Sequence, residues 1–190
     1  QKAFKPLFNA TDVVEDGRAF DVLFNDGDEF RIGELKVRVL QTPGHTPACV
    51  TYVVGNAAFV GDTLFQPDYG TARTDFPGGD AATLYRSIGR ILDLPPSTRV
   101  FTGHDYLPAG RAAPAWESTV AEQRAANIHV HIGVSEAEFV AMRTARDKTL
   151  TPPVLILPSL QVNIRAGAMP PADTDGNVYL KLPLNKLGKG

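Results

Sequence analysis

The chain has 190 residues, 43% hydrophobic and 21% charged, with a formal net charge of -2. These are ordinary values for a soluble globular protein with room for a full core. A pI of about 6.1, with lysines and arginines scattered along the chain, excludes a nucleic-acid or anionic-membrane surface. The single cysteine, Cys49, excludes an internal disulfide, and no apolar run approaches the ~20 residues of a membrane helix, so the expected compartment is the cytoplasm.

In chain order, Gln1–Lys5 carries neither an initiator methionine nor the apolar core of a signal peptide. Residues 20–42 read as β structure. Val22–Phe24 is a short run, Asn25-Asp26-Gly27-Asp28 is turn chemistry, and Leu35, Val37 and Val39 alternate with Lys36 and Arg38 after a second turn at Gly33-Glu34. Gly55-Asn56 between Thr51–Val54 and Ala57–Val60 signals a hairpin. Residues 66–79, rich in Gly, Pro and Asp, form a loop long enough to be functional. Asp80 caps a helix with an apolar stripe of Leu84, Ile88, Ile91 and Leu92, stopped by Pro95-Pro96. Arg99–Thr102 is strand-like. A second helix is predicted from Pro114 to about Asn127 with Trp116 and Val120 inward, and a third from Ser135, where Ser135 and Glu138 form a capping box. The pattern predicts an α/β (α+β) fold with a mixed sheet. Residues 1–150 are expected to form the main domain, with 151–190 a C-terminal extension packed on it.

Three phrases carry the chemistry: Pro43-Gly44-His45-Thr46, Gly61-Asp62-Thr63 and Gly103-His104-Asp105. Each follows a β-prone run and delivers a metal-ligating side chain directly after a glycine, which lets the backbone turn sharply. Taken singly, His45 reads as a turn histidine and Asp62 as an Asx turn. Taken jointly, two imidazoles and a carboxylate converging on one sheet edge suit zinc or non-haem iron. His129 and His131, in an extended segment without a preceding glycine, are expected to be structural or solvated. Cys49 is expected to be a buried small hydrophobe.

In this order, Thr42-Pro43-Gly44-His45-Thr46, Gly61-Asp62-Thr63-Leu64-Phe65 and Gly103-His104-Asp105-Tyr106 closely resemble the motifs of the metallo-β-lactamase fold superfamily. Arg73-Thr74-Asp75-Phe76, the segment Ala121-Glu122-Gln123-Arg124 with Asn127, and the tail Val162–Gly167 resemble its persulfide dioxygenase branch and the neighbouring β-lactamase-like hydrolases. The resemblance implies an αββα sandwich of two mixed sheets with metals at one edge. It also implies metal ligation by His45, Asp62 and His104, and substrate contacts from Arg73, Tyr106 and Arg124.

In the iron enzymes the resemblance assigns Fe(II) to one upstream histidine, His45 and Asp62, leaving His104 beside the site. The expected activity is oxidation of a glutathione-type persulfide to sulfite with dioxygen. In the zinc hydrolases of the same fold, one or two Zn(II) ions would be held with Asp62 bridging, and thioesters, other esters or lactams would be the substrates. The superfamily's His-x-His-x-Asp-His motif is absent from this sequence. The expectation is therefore a C-terminal portion of a longer enzyme, with a chain that is inactive or only a binding module as the alternative. The expected partners are a small thiol, persulfide or thioester and, at most, further copies of the chain.

Overall fold

The computed structural model describes residues 1–184; positions 185–190, the end of the expected C-terminal extension, lie outside them. In chain order the elements are α1 (Lys5–Phe8), β1 (Glu29–Ile32), β2 (Leu35–Gln41), β3 (Val50–Val54), β4 (Ala57–Gly61), α2 (Ala81–Leu92), β5 (Arg99–Thr102), β6 (Glu117–Thr119), α3 (Val120–Ala126), α4 (Glu136–Asp147) and α5 (Ile156–Asn163). The chain divides into two compact units: Phe24–Leu150, and Gln1–Leu23 together with the chain from Thr151 onward. The grouping of the first residues with the last ones has no local sequence signal.

The larger unit is built on a six-stranded sheet in the order β1-β2-β3-β4-β5-β6. Every pairing is antiparallel except β4 with β5. The sheet is therefore mixed, and the fold is α/β. The tight turns at Gly33 and Gly55 both have φ 57°, a conformation that glycine adopts without penalty. Val53, Ala58, Val100 and Ser118 are successive register partners across the sheet. Ala58 and Val100 belong to the same core as Leu84, Ile88 and Ile91 of α2, Val120 of α3 and Phe139 of α4. Because strand side chains alternate, Tyr52, Phe59 and Phe101 line the opposite face, where Phe59 and Phe101 stack at 5.0 Å.

The helix starts follow their caps. The Asp80 carboxylate accepts from Thr83 N at 2.7 Å, and Ser135 and Glu138 form the predicted capping box. Three local expectations are corrected. Val22–Phe24 forms no strand. Val22 and Leu23 are exposed, and the Asn25–Asp28 turn is instead closed by Asn25 N donating to Asp28 Oδ2 at 2.7 Å. The segment 114–127 is not one helix: β6 occupies its middle, a Thr119–Glu122 capping box starts α3 only at Val120, and Trp116 is 65% exposed. Cys49 is half-buried, with Sγ 3.1 Å from Thr46 Oγ1.

In the smaller unit Phe8, Ala10, Val13 and Ile164 form a second core, with Leu7, Leu157 and Leu160 against it. Arg165 forks onto Asp12 at 2.7 and 2.8 Å, and buried Gln161 exchanges hydrogen bonds with the Lys181 backbone. No described helix is long and apolar enough to cross a membrane.

Candidate metal centre

The parallel β4–β5 pair brings two strand exits to one edge of the sheet. Gly103 N donates to Gly61 O at 2.9 Å, so the residues that follow, Asp62 and His104, emerge side by side. Glycine at 103 is needed for this closeness. A Cβ there would lie 2.9 Å from Asp62 Oδ1 and 3.1 Å from the Gly61 carbonyl carbon. His45 arrives from β2 on a loop clamped by α2: Ser87 Oγ donates to Pro43 O at 2.6 Å, and Asp80 N to Gly44 O at 2.8 Å. Gly44 has φ 136°, and a Cβ would stand 2.4 Å from Leu84 backbone atoms. Behind the two loops the buried hydroxyls of Thr42, Thr51 and Thr63 form a cluster with contacts of 3.1 to 3.4 Å.

The three expected ligands converge on the Asp62 carboxylate. His45 Nε2 lies 3.9 Å from Oδ2, and His104 Nε2 lies 3.4 Å from Oδ1. His45 Nδ1 is 2.8 Å from the Arg73 carbonyl oxygen, which can only accept, so Nδ1 carries the proton. In the neutral ring the Nε2 lone pair then points toward a carboxylate. That arrangement is favourable with a proton, a metal ion or a bridging water between them. Each imidazole faces its own carboxylate oxygen, and among the described residues no three His, Cys, Asp or Glu side chains close around a single point. Two imidazoles and a carboxylate are donor types that suit divalent iron or zinc.

The two histidines differ in support. The His45 side chain is 13% exposed and its ring lies 5.0 Å from Phe76, whereas the His104 side chain is 56% exposed, 5.6 Å from the Tyr106 ring. Support on the His104 side comes from its neighbour Asp105. Arg111 and the Ala115 and Leu107 backbone N–H groups bind this carboxylate and hold it far below the usual carboxylate range.

The expected substrate residues are placed unequally. The Tyr106 ring stacks on Tyr69 at 4.8 Å and meets Phe65 edge-on, and burial together with the Asp62 charge raises its hydroxyl pKa. Arg73 forks onto Asp75 at 2.6 Å through both Nε and Nη2, with its guanidinium over Phe76. Arg124 donates to Leu92 O at 3.1 Å, at the C-terminal end of α2.

Sequence reasoning missed the buried groups that shape the intervening loop. Gln123 donates to Phe65 O and Asn127 to Gly70 O, and the two amides bond each other at 2.7 Å. His129 Nδ1 accepts from Thr71 N at 3.0 Å, while Arg143 and Asp147 reach Thr71 and Thr74. Of these, only Gln123 and Asn127 stood out in the sequence, as part of the segment that carries the family resemblance. His129 is structural, as expected, and burial lowers its pKa to about 4.

Comparison with known proteins settles the family. Residues 3–104 match the metallo-beta-lactamase superfamily. The chain is 55% identical to a probable metallo-hydrolase of Burkholderia pseudomallei, over 98% of this chain and 67% of that protein. The chain belongs to the metallo-beta-lactamase superfamily. A second superfamily relative, the beta-lactamase hydrolase-like protein of Agrobacterium fabrum, is 58% identical over 98% of this chain but only 43% of its own length. The human mitochondrial persulfide dioxygenase ETHE1 is 35% identical over 82% of this chain and 58% of its own. The crystal structure of ETHE1 from Myxococcus xanthus superposes with a TM-score of 0.70 at 34% identity, covering 83% of this chain and 64% of that one. This chain thus spans about two thirds or less of the length of these superfamily relatives.

Proposed function

We propose that the protein carrying this chain is an iron-dependent persulfide dioxygenase in which His45 and Asp62 are metal ligands and His104 stands beside the site. The observation that carries this reading is the unequal support of the two imidazoles. His45 is enclosed, with its tautomer fixed by a backbone carbonyl, as an obligatory ligand requires. His104 is solvent-facing, and among the described residues no backbone carbonyl holds its second ring nitrogen as Arg73 O holds that of His45. The likeness to the ETHE1 structure supports the same reading. Bound there, a divalent iron would supply redox chemistry and open positions for a sulfur ligand and dioxygen.

The chain's own residues do the rest. Asp62 brings negative charge to the mouth of the site. Tyr106, kept protonated by its surroundings, can donate a hydrogen bond to a thiol-type substrate arriving along the Tyr69–Tyr106 wall. Arg73 and Arg124 are proposed as carboxylate contacts only if substrate competes with Asp75 and Leu92 O for them.

A second reading is a zinc-dependent hydrolase of thioesters or related esters. It is favoured by the contact of each Asp62 oxygen with a different imidazole, which suits a carboxylate bridging two ions, and by the names of the 55% and 58% identical relatives. Metal analysis of the full-length protein purified without oxygen separates the two. The first reading expects one iron per chain and oxygen uptake driven by glutathione persulfide. Two zinc ions, thioester hydrolysis and no persulfide-dependent oxygen uptake would establish the second.

A further inference from the structure

We propose that Arg143 and Asp147 of α4 are positioning residues for His45, acting through the backbone of the Thr71–Thr74 loop. The proposal rests on the reading of His45 as a metal ligand. Arg143 is 1% and Asp147 5% exposed, and they form an ion pair one helical turn apart. A buried pair of this kind contributes little net stability over an apolar pair of the same size. Its outward-facing atoms, however, all reach one loop. Arg143 Nη1 donates to Thr71 O at 3.2 Å, and Asp147 Oδ2 accepts from Thr74 N at 2.8 Å and from Thr74 Oγ1 at 3.0 Å.

The loop is thereby held at both ends, and between those ends lies Arg73, whose carbonyl oxygen receives the His45 Nδ1 proton. The Arg73 side chain, forked onto Asp75, fixes the same peptide from outside. The functional output of the ion pair is consequently a direction: it aims one carbonyl at one imidazole nitrogen. That selects the tautomer with its Nε2 lone pair toward Asp62. Groups that support a ligand in this indirect way are typically worth about 10–100-fold in metal affinity.

The test uses the full-length protein in three variants. Asp147→Asn weakens the pair and its acceptor, Thr74→Val removes only the hydroxyl donor and leaves the ion pair intact, and Thr74→Ser restores that donor. Long-range ¹H–¹⁵N spectra of the metal-free protein read the His45 tautomer directly. The expected result is a single Nδ1–H form in the parent and in Thr74→Ser, a mixture in Thr74→Val and Asp147→Asn, and Fe(II) and Zn(II) affinity lower by about 10-fold or more in Asp147→Asn. If Asp147→Asn fails to fold, Thr74→Val carries the test. Unchanged tautomers in folded variants overturn the proposal. His45→Ala, titrated alongside, separates the two levels. Unchanged affinity in His45→Ala overturns the metal reading and this proposal with it, whereas lost affinity there with an unmoved tautomer in Thr74→Val overturns the proposal alone.

Discussion

The two sides of the Asp62 carboxylate are built on different principles. On the His45 side the ligand itself is gripped: Gly44 is packed against Leu84, Pro43 O is bonded to Ser87, and the ring is fixed by Arg73 O. On the His104 side the grip falls one residue later, on Asp105, and the imidazole stays in solvent. A ligand fixed in advance loses little freedom on binding, whereas a free ring loses its rotamer entropy when it coordinates. The contrast teaches that residues equivalent in sequence motif are held unequally, and that the inequality is set by what stands behind the ring.

The sharpest way to break this comparison is to remove each ring in turn. His45→Ala is expected to reduce metal affinity by more than about a hundredfold, beyond the range of residues that only support a ligand. His104→Ala is expected to cost less than about tenfold. Equal losses, measured by competition with a chromogenic chelator, would erase the asymmetry and favour two ions. Gly44→Ala comes next. Its Cβ would meet the Leu84 backbone from a left-handed φ, so denaturant unfolding is expected to show destabilisation by about 3 kcal/mol.

Acid sharpens the same side. His129, which holds the Thr71 N–H, has its pKa lowered from 6.5 to about 4, by burial first and by Arg143 next. A depressed histidine pKa means that the unfolded chain binds the proton first. The His129 contribution is therefore complete above pH 6.5 and declines as pH falls toward 4, by roughly 2–3 kcal/mol in all. The difference in unfolding free energy between the parent and His129→Gln, followed from pH 7 to pH 4, is expected to shrink accordingly. A constant difference would remove His129 from the account. The smallest effect is expected on the other side. Asp105→Asn should lose about 1–2 kcal/mol, from weakened bonds to Arg111 and Ala115, and leave the His45 tautomer unchanged.

What the sequence made legible follows the same division. A glycine, a preceding apolar run and a ligand type are all local, so His45, Asp62 and His104 could be found in order, as could the Asp80 cap and the Ser135 capping box. The supports could not. Arg143 and Asp147, at i and i+4, have the spacing of an exposed helix pair, and only tertiary packing reveals that α4 turns them inward. Trp116 was misread because aromatic residues usually mark a core face; here it precedes a short strand and faces solvent. Gln123 and Asn127 were noticed as part of a motif, but their burial between α3 and the 65–70 loop depends on partners about 57 residues away.

The one parallel step in the sheet has a further consequence. Because β4 and β5 run the same way and are tied at their ends by Gly103 N to Gly61 O, the separation of Asp62 from His104 is set by the backbone pairing of the two strands. It does not depend on the length of chain that connects them. Residues 66–79 can accordingly lengthen, shorten or change composition while the spacing of these two side chains stays constant. The spacing of Asp62 and His104 is thus carried by the sheet, whereas the orientation of the His45 ring depends on the loop through the Arg73 carbonyl.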